Sequence, residues 1–302
     1  MTASQRESRN CLAFKSSLQP GRNSFACEWI RERFFTSAPR KQTPFAPDLA
    51  FLIRFFRLCA ADRTMKVTLF IPCFVDTLFP RVGMSIVEVL ERMGHTIEVP
   101  EAVTCCGQPA FNSGCWEESR LVARNVLNHL AGAENVVIAS GSCGAMLKVF
   151  YPQLFAGQPE EAAAKALGAR TWEFSQFLVD RLGVTDVGAT FPSKVTFHDG
   201  CHGLRELGCK QQPRKLLAEV KGLELVEMQD AETCCGFGGT FSAKFPMIST
   251  AMGEVKCDTA KATDAEYIVS NDSSCLMHIQ GLADKQGRRL KTIHLAEILA
   301  KR

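Results

Sequence analysis

The stretch KVTLFIPC at residues 66–73 reads as a short strand followed by a cysteine, and KVTFHDGC repeats this pattern at residues 194–201. The β-branched and apolar run at residues 67–71 ends at Pro72, which is typical of a buried strand. The copies lie more than 100 residues apart, a period too long for a solenoid repeat. The sequence therefore predicts two duplicated domains.

Vicinal cysteine pairs, each followed by glycine, recur in the same register within the two copies. The first cysteine set is Cys73, Cys105, Cys106 and Cys143, and the second cysteine set is Cys201, Cys234, Cys235 and Cys275. The upstream gaps are 32 and 33 residues, and the downstream gaps are 37 and 40 residues. Eight thiols in two equivalent sets predict two metal or cluster sites.

Strand and helix patterns alternate along both copies. This alternation predicts an α/β fold made of two Rossmann-like domains with parallel sheets. We expect a first domain at residues 65–183, a linker at 184–193 and a second domain at 194–302. The pattern also predicts a helix that begins at Pro80 and ends at Gly94, and another over Trp172–Leu182. Sites in open parallel sheets form at the carboxyl edge, so each cysteine set is expected to gather there.

Residues 1–64 differ from the rest of the chain. They carry 11 Lys/Arg against 5 Asp/Glu, whereas residues 65–302 carry 24 against 27. Our hypothesis is that Met65 is the true or ancestral start and that residues 1–64 are a disordered leader or a gene-start artefact. A targeting leader and a membrane-surface helix at Leu49–Ala60 are the alternatives.

The composition excludes several classes of protein. The mildly acidic body argues against nucleic acid as the main partner, and no apolar run is long enough to span a bilayer. We do not expect the 14 cysteines to form a disulfide scaffold, because such scaffolds are mostly small and secreted. The first residues given also do not show the charged, apolar and small-residue order typical of a secretory signal. A reducing compartment, with thiols kept as ligands, fits better.

Thiolates are soft ligands that select zinc, copper(I) or iron–sulfur clusters. Structural zinc sites usually show two close C-x₂-C pairs, whereas the pairs here are vicinal and their partners lie more than thirty residues away. Adjacent cysteines chelate a single ion poorly but can serve neighbouring irons of a polynuclear core. The pattern favours iron–sulfur binding, and a zinc-stabilised scaffold with no redox role is the alternative.

The motifs around these cysteines resemble those of the cysteine-rich CCG-domain family. This family includes a subunit of heterodisulfide reductase, the iron–sulfur subunit of glycolate oxidase and the lactate utilization protein A group, to which the likeness is greatest. The resemblance runs from Met65 to the C-terminus. It is carried by IPCFVD (71–76), TCCGQPAFNSG (104–114), SGSC (140–143), HDGCH (198–202), CCGFGGTF (234–241) and SCLM (274–277).

The resemblance implies a cytoplasmic iron–sulfur oxidoreductase subunit that takes part in oxidising L-lactate to pyruvate. It implies electron transfer through iron–sulfur clusters of the 4Fe-4S type, one per half. The implied partners are two other lactate-utilization proteins, including a ferredoxin-like iron–sulfur subunit, and a small 2-hydroxy acid substrate. The chain shows no dinucleotide-binding motif, so we do not expect it to be active alone. A heterodisulfide-type thiol–disulfide reductase subunit is the alternative within the family.

The chain departs from the heterodisulfide reductase pattern, in which a fifth thiol from a C-x-x-C motif completes each cluster. Met146 and His278 stand at the two fifth positions. Either the cluster type differs or one iron takes a non-cysteine ligand, for which His278 is a candidate and a solvent-facing residue the alternative. His198 and His202, which flank Cys201, are candidate hydrogen-bond donors that tune the cluster without binding its metal, or ordinary polar packing.

Overall fold

A computed structural model of the chain describes residues 64–103 and 105–302. The predictions for residues 1–63, including the leader and the membrane-surface helix, lie outside these described residues. In the described part, no helix has the length and apolar character needed to cross a membrane.

The first sheet has four parallel strands in the order β2-β1-β3-β4. Its strands are β1 (Lys66–Phe70), β2 (Thr96–Glu98), β3 (Val136–Ile138) and β4 (Thr171–Glu173). β1 and β3 are neighbours in the sheet although β2 lies between them in the sequence. The chain therefore changes direction across the sheet between β1 and β3, and such switch points are where ligands bind in open α/β sheets.

The second sheet repeats this arrangement in the order β6-β5-β7-β8, again with all strands parallel. Its strands are β5 (Lys194–Phe197), β6 (Glu224–Leu225), β7 (Tyr267–Ser270) and β8 (Lys291–His294). The predicted α/β class with two duplicated parallel sheets is confirmed.

Helices connect the strands in both halves. The first half contains α1 (Cys73–Leu78), α2 (Pro80–Arg92), α3 (Gln108–Asn112), α4 (Trp116–His129), α5 (Gly141–Ala145), α6 (Tyr151–Leu154), α7 (Glu161–Ala169) and α8 (Phe174–Gln176). π-helical turns follow α5 at Met146–Phe150 and α8 at Phe177–Arg181. The second half contains α9 (Cys201–Arg205), α10 (Gln211–Ala218), α11 (Thr240–Lys244), α12 (Pro246–Lys261), α13 (Ser273–Lys285) and α14 (Leu295–Ala300).

Helix α2 forms where the sequence predicted it. Pro80 stands in the first turn, where its missing N–H costs no hydrogen bond, and Gly94 follows the helix with a φ of +87°. Val82, Ile86 and Leu90 are buried on one face of the helix. The apolar face is therefore what fixes the helix against the sheet.

The prediction of a helix over Trp172–Leu182 was wrong at its start, because Trp172 and Glu173 belong to β4. A strand of three residues is too short to show an alternating pattern before the helical period takes over. Glu173 instead caps α8: its Oε2 accepts hydrogen bonds from the backbone nitrogens of Ser175 at 2.9 Å and Gln176 at 3.2 Å. His294 does the same for α14, and its Nδ1 accepts from Ala296 N at 3.1 Å.

The two halves share one hydrophobic core. Val67 and Ile86 of the first half lie in the same buried cluster as Phe197 and Leu299 of the second half. Arg92 reinforces this junction, because its guanidinium donates a hydrogen bond to the carbonyl of Ala300 at 2.7 Å. The outer face of each sheet has a separate core of its own. The shared core holds the carboxyl edges of the two sheets at a fixed distance.

Candidate metal centres

Each half brings its four cysteines to one edge of its sheet. In the first half, Cys73 begins α1 just after β1, and Cys143 lies in α5 just after β3. Because β1 and β3 are adjacent, these two thiols flank the switch point of the sheet. The loop that leaves β2 carries Cys105 and Cys106 to the same place.

The thiols of the first set contact one another in a row. Cys106 Sγ lies 3.2 Å from Cys143 Sγ. Cys105 is hydrogen bonded to both Cys106 and Cys73. The row therefore runs from Cys73 through the vicinal pair to Cys143.

The second set forms the same row. Cys234 is hydrogen bonded to Cys201 and to Cys235, and Cys235 is in turn hydrogen bonded to Cys275. Every cysteine in the described part of the chain is a free thiol. The structure thus brings the eight predicted cysteines together as two reduced sets.

Three other cysteines of the described chain make different contacts. Cys209 is buried and its Sγ lies 3.5 Å from Oε2 of Glu173, and the Cys257 thiol lies 3.7 Å from the carbonyl of Ile279. Cys115 is exposed. None of the three lines the cavity described below.

Hydrogen bonds between the thiols lower the pKa of one cysteine in each set and raise the pKa of its neighbours. The hydrogen bond with Cys106 and, to a lesser extent, the one with Cys73 lower the pKa of Cys105 to about 2. The hydrogen bond with Cys201 and, to a lesser extent, the one with Cys235 lower the pKa of Cys234 to about 2. The same contacts raise the pKa of the neighbours, for example that of Cys106, so one thiolate per set is stabilised by protonated partners.

The glycine after each pair allows the loop to pack against a helix. Gly107 has a φ of +80° and Gly236 a φ of +91°. A Cβ on Gly236 would lie 2.5 Å from the carbonyl oxygen of Ser249 in α12. Only glycine fits this turn without displacing the helix that supports the pair.

Both cysteine sets face one cavity of about 460 Å³. All eight thiols line it, although they come from different sheets. The rings of Phe74 and Phe237, one from each half, lie 5.9 Å apart at its wall. The duplication has therefore produced two sets of sulfur donors that open into a common space.

Asp272 links the loops that carry the two sets. It is buried and caps α13, where its Oδ1 accepts from Ser274 N at 3.2 Å and from Ser274 Oγ at 2.6 Å. Its Oδ2 accepts from Ser142 N at 2.9 Å and from Ser140 Oγ at 3.2 Å. One carboxylate thus fixes the residues next to Cys143 and Cys275 together.

The three histidines singled out in the sequence lie in different surroundings. His198 is fully buried, and one ligand atom each from its ring, Cys235 and Cys275 lie within 4.8 Å of one another. His202 lines the cavity, and its Nδ1 lies 3.3 Å from Oε2 of Glu206. His278 turns toward α12, where its Nε2 lies 3.2 Å from the carbonyl of Ser249.

Burial is the main influence on His198. It lowers the pKa of the imidazole to about 3, and the positive charge of Lys256 acts in the same direction. The ring is therefore neutral near pH 7, which is the form of histidine that binds metals.

Lys256 is a buried residue beside the second set that sequence reasoning missed. It is 1% exposed, and its ammonium donates a hydrogen bond to the carbonyl of Asp230. Burial lowers its pKa, while the charges of Cys235 and Asp230 act in the opposite direction. The only sequence signal is a lysine at a helix position that is apolar in the first half.

The donors present fit a soft metal or an iron–sulfur cluster. Each set supplies four thiols as sulfur ligands, and the one group in the described residues with three close potential ligands is His198, Cys235 and Cys275. Iron–sulfur clusters and zinc are both held by such donors. The arrangement is therefore suited to binding metal or iron–sulfur groups.

Comparison with known proteins agrees with this geometry. The profile of the cysteine-rich domain family CCG matches residues 67–148 and 195–280, one match in each half. Lactate utilization protein A of Geobacillus thermodenitrificans (strain NG80-2) is 47% identical over 236 residues, which cover 78% of this chain and 98% of that protein. Lactate utilization protein A of Oceanobacillus iheyensis is 48% identical over 236 residues, with 78% and 96% covered. The chain therefore belongs to the cysteine-rich CCG-domain family, together with these lactate utilization proteins.

Proposed function

We propose that this chain is the iron–sulfur subunit of a multi-protein complex that oxidises L-lactate to pyruvate. The first cysteine set would hold one cluster and the second set another, both of the 4Fe-4S type. The names of relatives that are 47% and 48% identical support the substrate. The free thiols, arranged in two rows, support the cofactor.

The observation that carries this proposal is the common cavity. Its volume of about 460 Å³ is within the range of small-molecule sites, and it is lined by both cysteine sets. Two redox groups that open into one space suit a reaction in which a single substrate or partner group exchanges electrons with both.

Iron–sulfur clusters, when bound, supply one-electron redox capacity, and two of them match the two electrons that lactate oxidation releases. The chain's own residues supply the rest. Asp272 holds the loops of Cys143 and Cys275 in fixed register through four hydrogen bonds. The rings of Phe74 and Phe237 cover part of the cavity wall and limit water there.

The proposed assembly includes two other lactate-utilization proteins, one of them a ferredoxin-like iron–sulfur subunit. We place the complex in the cytoplasm, because free thiols persist in a reducing compartment. We also propose that residues 65–183 and 194–302 are the two CCG domains, joined by a linker at 184–193, and that residues 1–64 belong to neither.

The test is anaerobic purification with iron and sulfide analysis, followed by EPR spectroscopy of the chain co-expressed with its neighbouring genes. We expect a brown protein whose EPR signal appears or disappears on adding L-lactate to the complex. A colourless protein with stoichiometric zinc would instead establish the structural scaffold. Reduction of a disulfide substrate without lactate would establish the heterodisulfide type of reaction.

A further inference from the structure

His198 is a buried side chain whose two ring nitrogens lack a hydrogen bond of good geometry within the described residues. It lies at the end of β5 with 0% of its surface exposed. The carbonyl of Ala231 lies near the ring and acts to raise the imidazole pKa, but its well-formed hydrogen bond is with the backbone nitrogen of Asp199 at 3.1 Å. Buried nitrogens without partners cost free energy, so an unpaired imidazole at this place indicates a ligand.

The ring lies where a metal bound by the second set would need a further donor. A nitrogen of His198 and the Sγ atoms of Cys235 and Cys275 lie within 4.8 Å of one another. Metal–nitrogen bonds of about 2.0 Å and metal–sulfur bonds of about 2.3 Å put donors around one ion about 3.5–4 Å apart. Because 4.8 Å is the upper limit of their separations, the three groups would reach one ion by closing at most about 1 Å.

The described residues of the first half have no histidine at the equivalent position. His198 stands three residues before Cys201, and Phe70 stands three residues before Cys73. Phe70 is fully buried in the apolar core of the first half. The hydroxyl of Tyr151, the polar group buried beside Cys106, already donates to the carbonyl of Cys106 at 2.9 Å. The two sets thus differ although their cysteines are equivalent.

The two sets also differ in the charge of the residue buried beside them on the supporting helix. Gly107 approaches Ser119 in α4, and Gly236 approaches Ser249 in α12, so the two helices occupy equivalent positions. Lys256 stands seven residues after Ser249, and the equivalent residue in the first half is the buried Val126. A buried ammonium requires negative charge close by. The second set would supply that charge as metal-bound thiolates.

We propose that His198 is a nitrogen ligand of the metal centre at the second cysteine set. That centre has five protein donors, four sulfurs and one nitrogen, whereas the first centre has four sulfurs alone. The chain therefore carries two chemically different centres rather than two copies of one. This inference rests on the proposed function only in taking the second set to bind metal.

The other histidines near the sets do not compete for this role. Nε2 of His278 lies 3.2 Å from the carbonyl of Ser249, and Gly253 packs close to the same ring. His202 Nδ1 faces Glu206 at 3.3 Å. The Nδ1 atom of His202 forms no hydrogen bond with that carboxylate, but neither His202 nor His278 belongs to the group of close potential ligands. His278→Gln and His202→Gln are therefore matched controls.

The experiment is X-ray absorption spectroscopy at the edge of the bound metal, on the full chain purified anaerobically. The wild type should show a light-atom scatterer at nitrogen distance beside the sulfurs. His198→Phe, which copies the residue of the first half, should lose it, while both control variants should keep it. Electron–nuclear double resonance on protein labelled with ¹⁵N-histidine should show one directly coupled nitrogen with the same dependence on the variants.

Absence of nitrogen from the wild-type spectrum, or its loss in His278→Gln, overturns the proposal. If His198→Phe does not fold, as judged by circular dichroism, retention of the nitrogen in both control variants still supports the assignment. Protein that holds zinc and no iron defeats the proposed function, but the zinc edge then tests the ligand in the same way. Failure of the ligand assignment can therefore be distinguished from failure of the proposed function.

Discussion

Asp272 Oδ2 accepts a hydrogen bond from the backbone nitrogen of Ser142 at 2.9 Å, although the two residues belong to different halves of the duplication. Ser142 immediately precedes Cys143, and Asp272 stands three residues before Cys275. The position equivalent to Asp272 in the first half is Ser140, whose hydroxyl donates to the same carboxylate at 3.2 Å. The equivalent loops of the two halves therefore contact each other, with donors on one loop and the carboxylate acceptor on the other. This contact couples the two cysteine sets mechanically.

Replacing Asp272 should therefore disturb both halves. Asp272→Ala removes a buried acceptor of four hydrogen bonds, and we expect the free energy of unfolding to fall by about 2 kcal/mol or more. Ser274→Ala removes one side-chain hydrogen bond to Asp272 at the N-cap of α13 and should cost about 1 kcal/mol. Urea denaturation of the three proteins measures both values. Equal losses for the two variants would show that the contact between the halves contributes nothing.

Each cysteine set should bind its metal separately despite the common cavity, because the thiol–thiol hydrogen bonds found in the described residues join cysteines of the same set. Cys106→Ser should lose iron from the first set, Cys235→Ser from the second, and the double variant from both. Cys115→Ser, which changes an exposed thiol outside the sets, is the control. Iron analysis after anaerobic purification is the measurement. Complete iron loss in either single variant would contradict independent sites.

The tight turn at Gly236 should tolerate no side chain. Gly236→Ala introduces a Cβ 2.5 Å from the carbonyl oxygen of Ser249, at a φ of +91°, and we expect a loss of about 3 kcal/mol in unfolding free energy. Gly94→Ala has a similar φ of +87° but meets nothing within 4 Å, and should cost about 1 kcal/mol. The comparison separates steric contact from backbone strain. Thermal or urea unfolding that ranks Gly94→Ala as the worse variant would refute the packing argument.

The ion pair between Arg214 and Asp199 should support the loop before Cys201. Arg214 donates two hydrogen bonds of 2.8 Å to a carboxylate whose side chain is 0% exposed. Arg214→Ala leaves that charge buried without a partner, and we expect unfolding to become easier by about 3 kcal/mol. Lys210→Ala breaks an exposed pair with Glu232 and should cost less than about 1 kcal/mol. Similar urea midpoints for the two variants would mean that solvent compensates the buried carboxylate.

Much of the fold was predictable because its signals are local. The strand before Cys73 and the helix from Pro80 follow from apolar patterning, proline and glycine, which act over a few residues. β4 was missed because three residues show no period, and its formation depends on pairing with β3. Among the candidate ligands, the cysteines were recognisable from their register alone. The prediction that His278 replaces a fifth thiol stays untested, and its ring packs against α12.

The sequence by itself determined the duplication, the parallel α/β class and the eight cysteines, since repeated spacing survives in the order of residues. Only the tertiary structure decided that both sets open into one cavity, that Asp272 ties their loops together, and that His198 and Lys256 are buried beside the second set alone. These features depend on how the two sheets pack across a shared core. Contacts between residues some 130 positions apart, such as Ser142 and Asp272, leave no periodic trace in the chain.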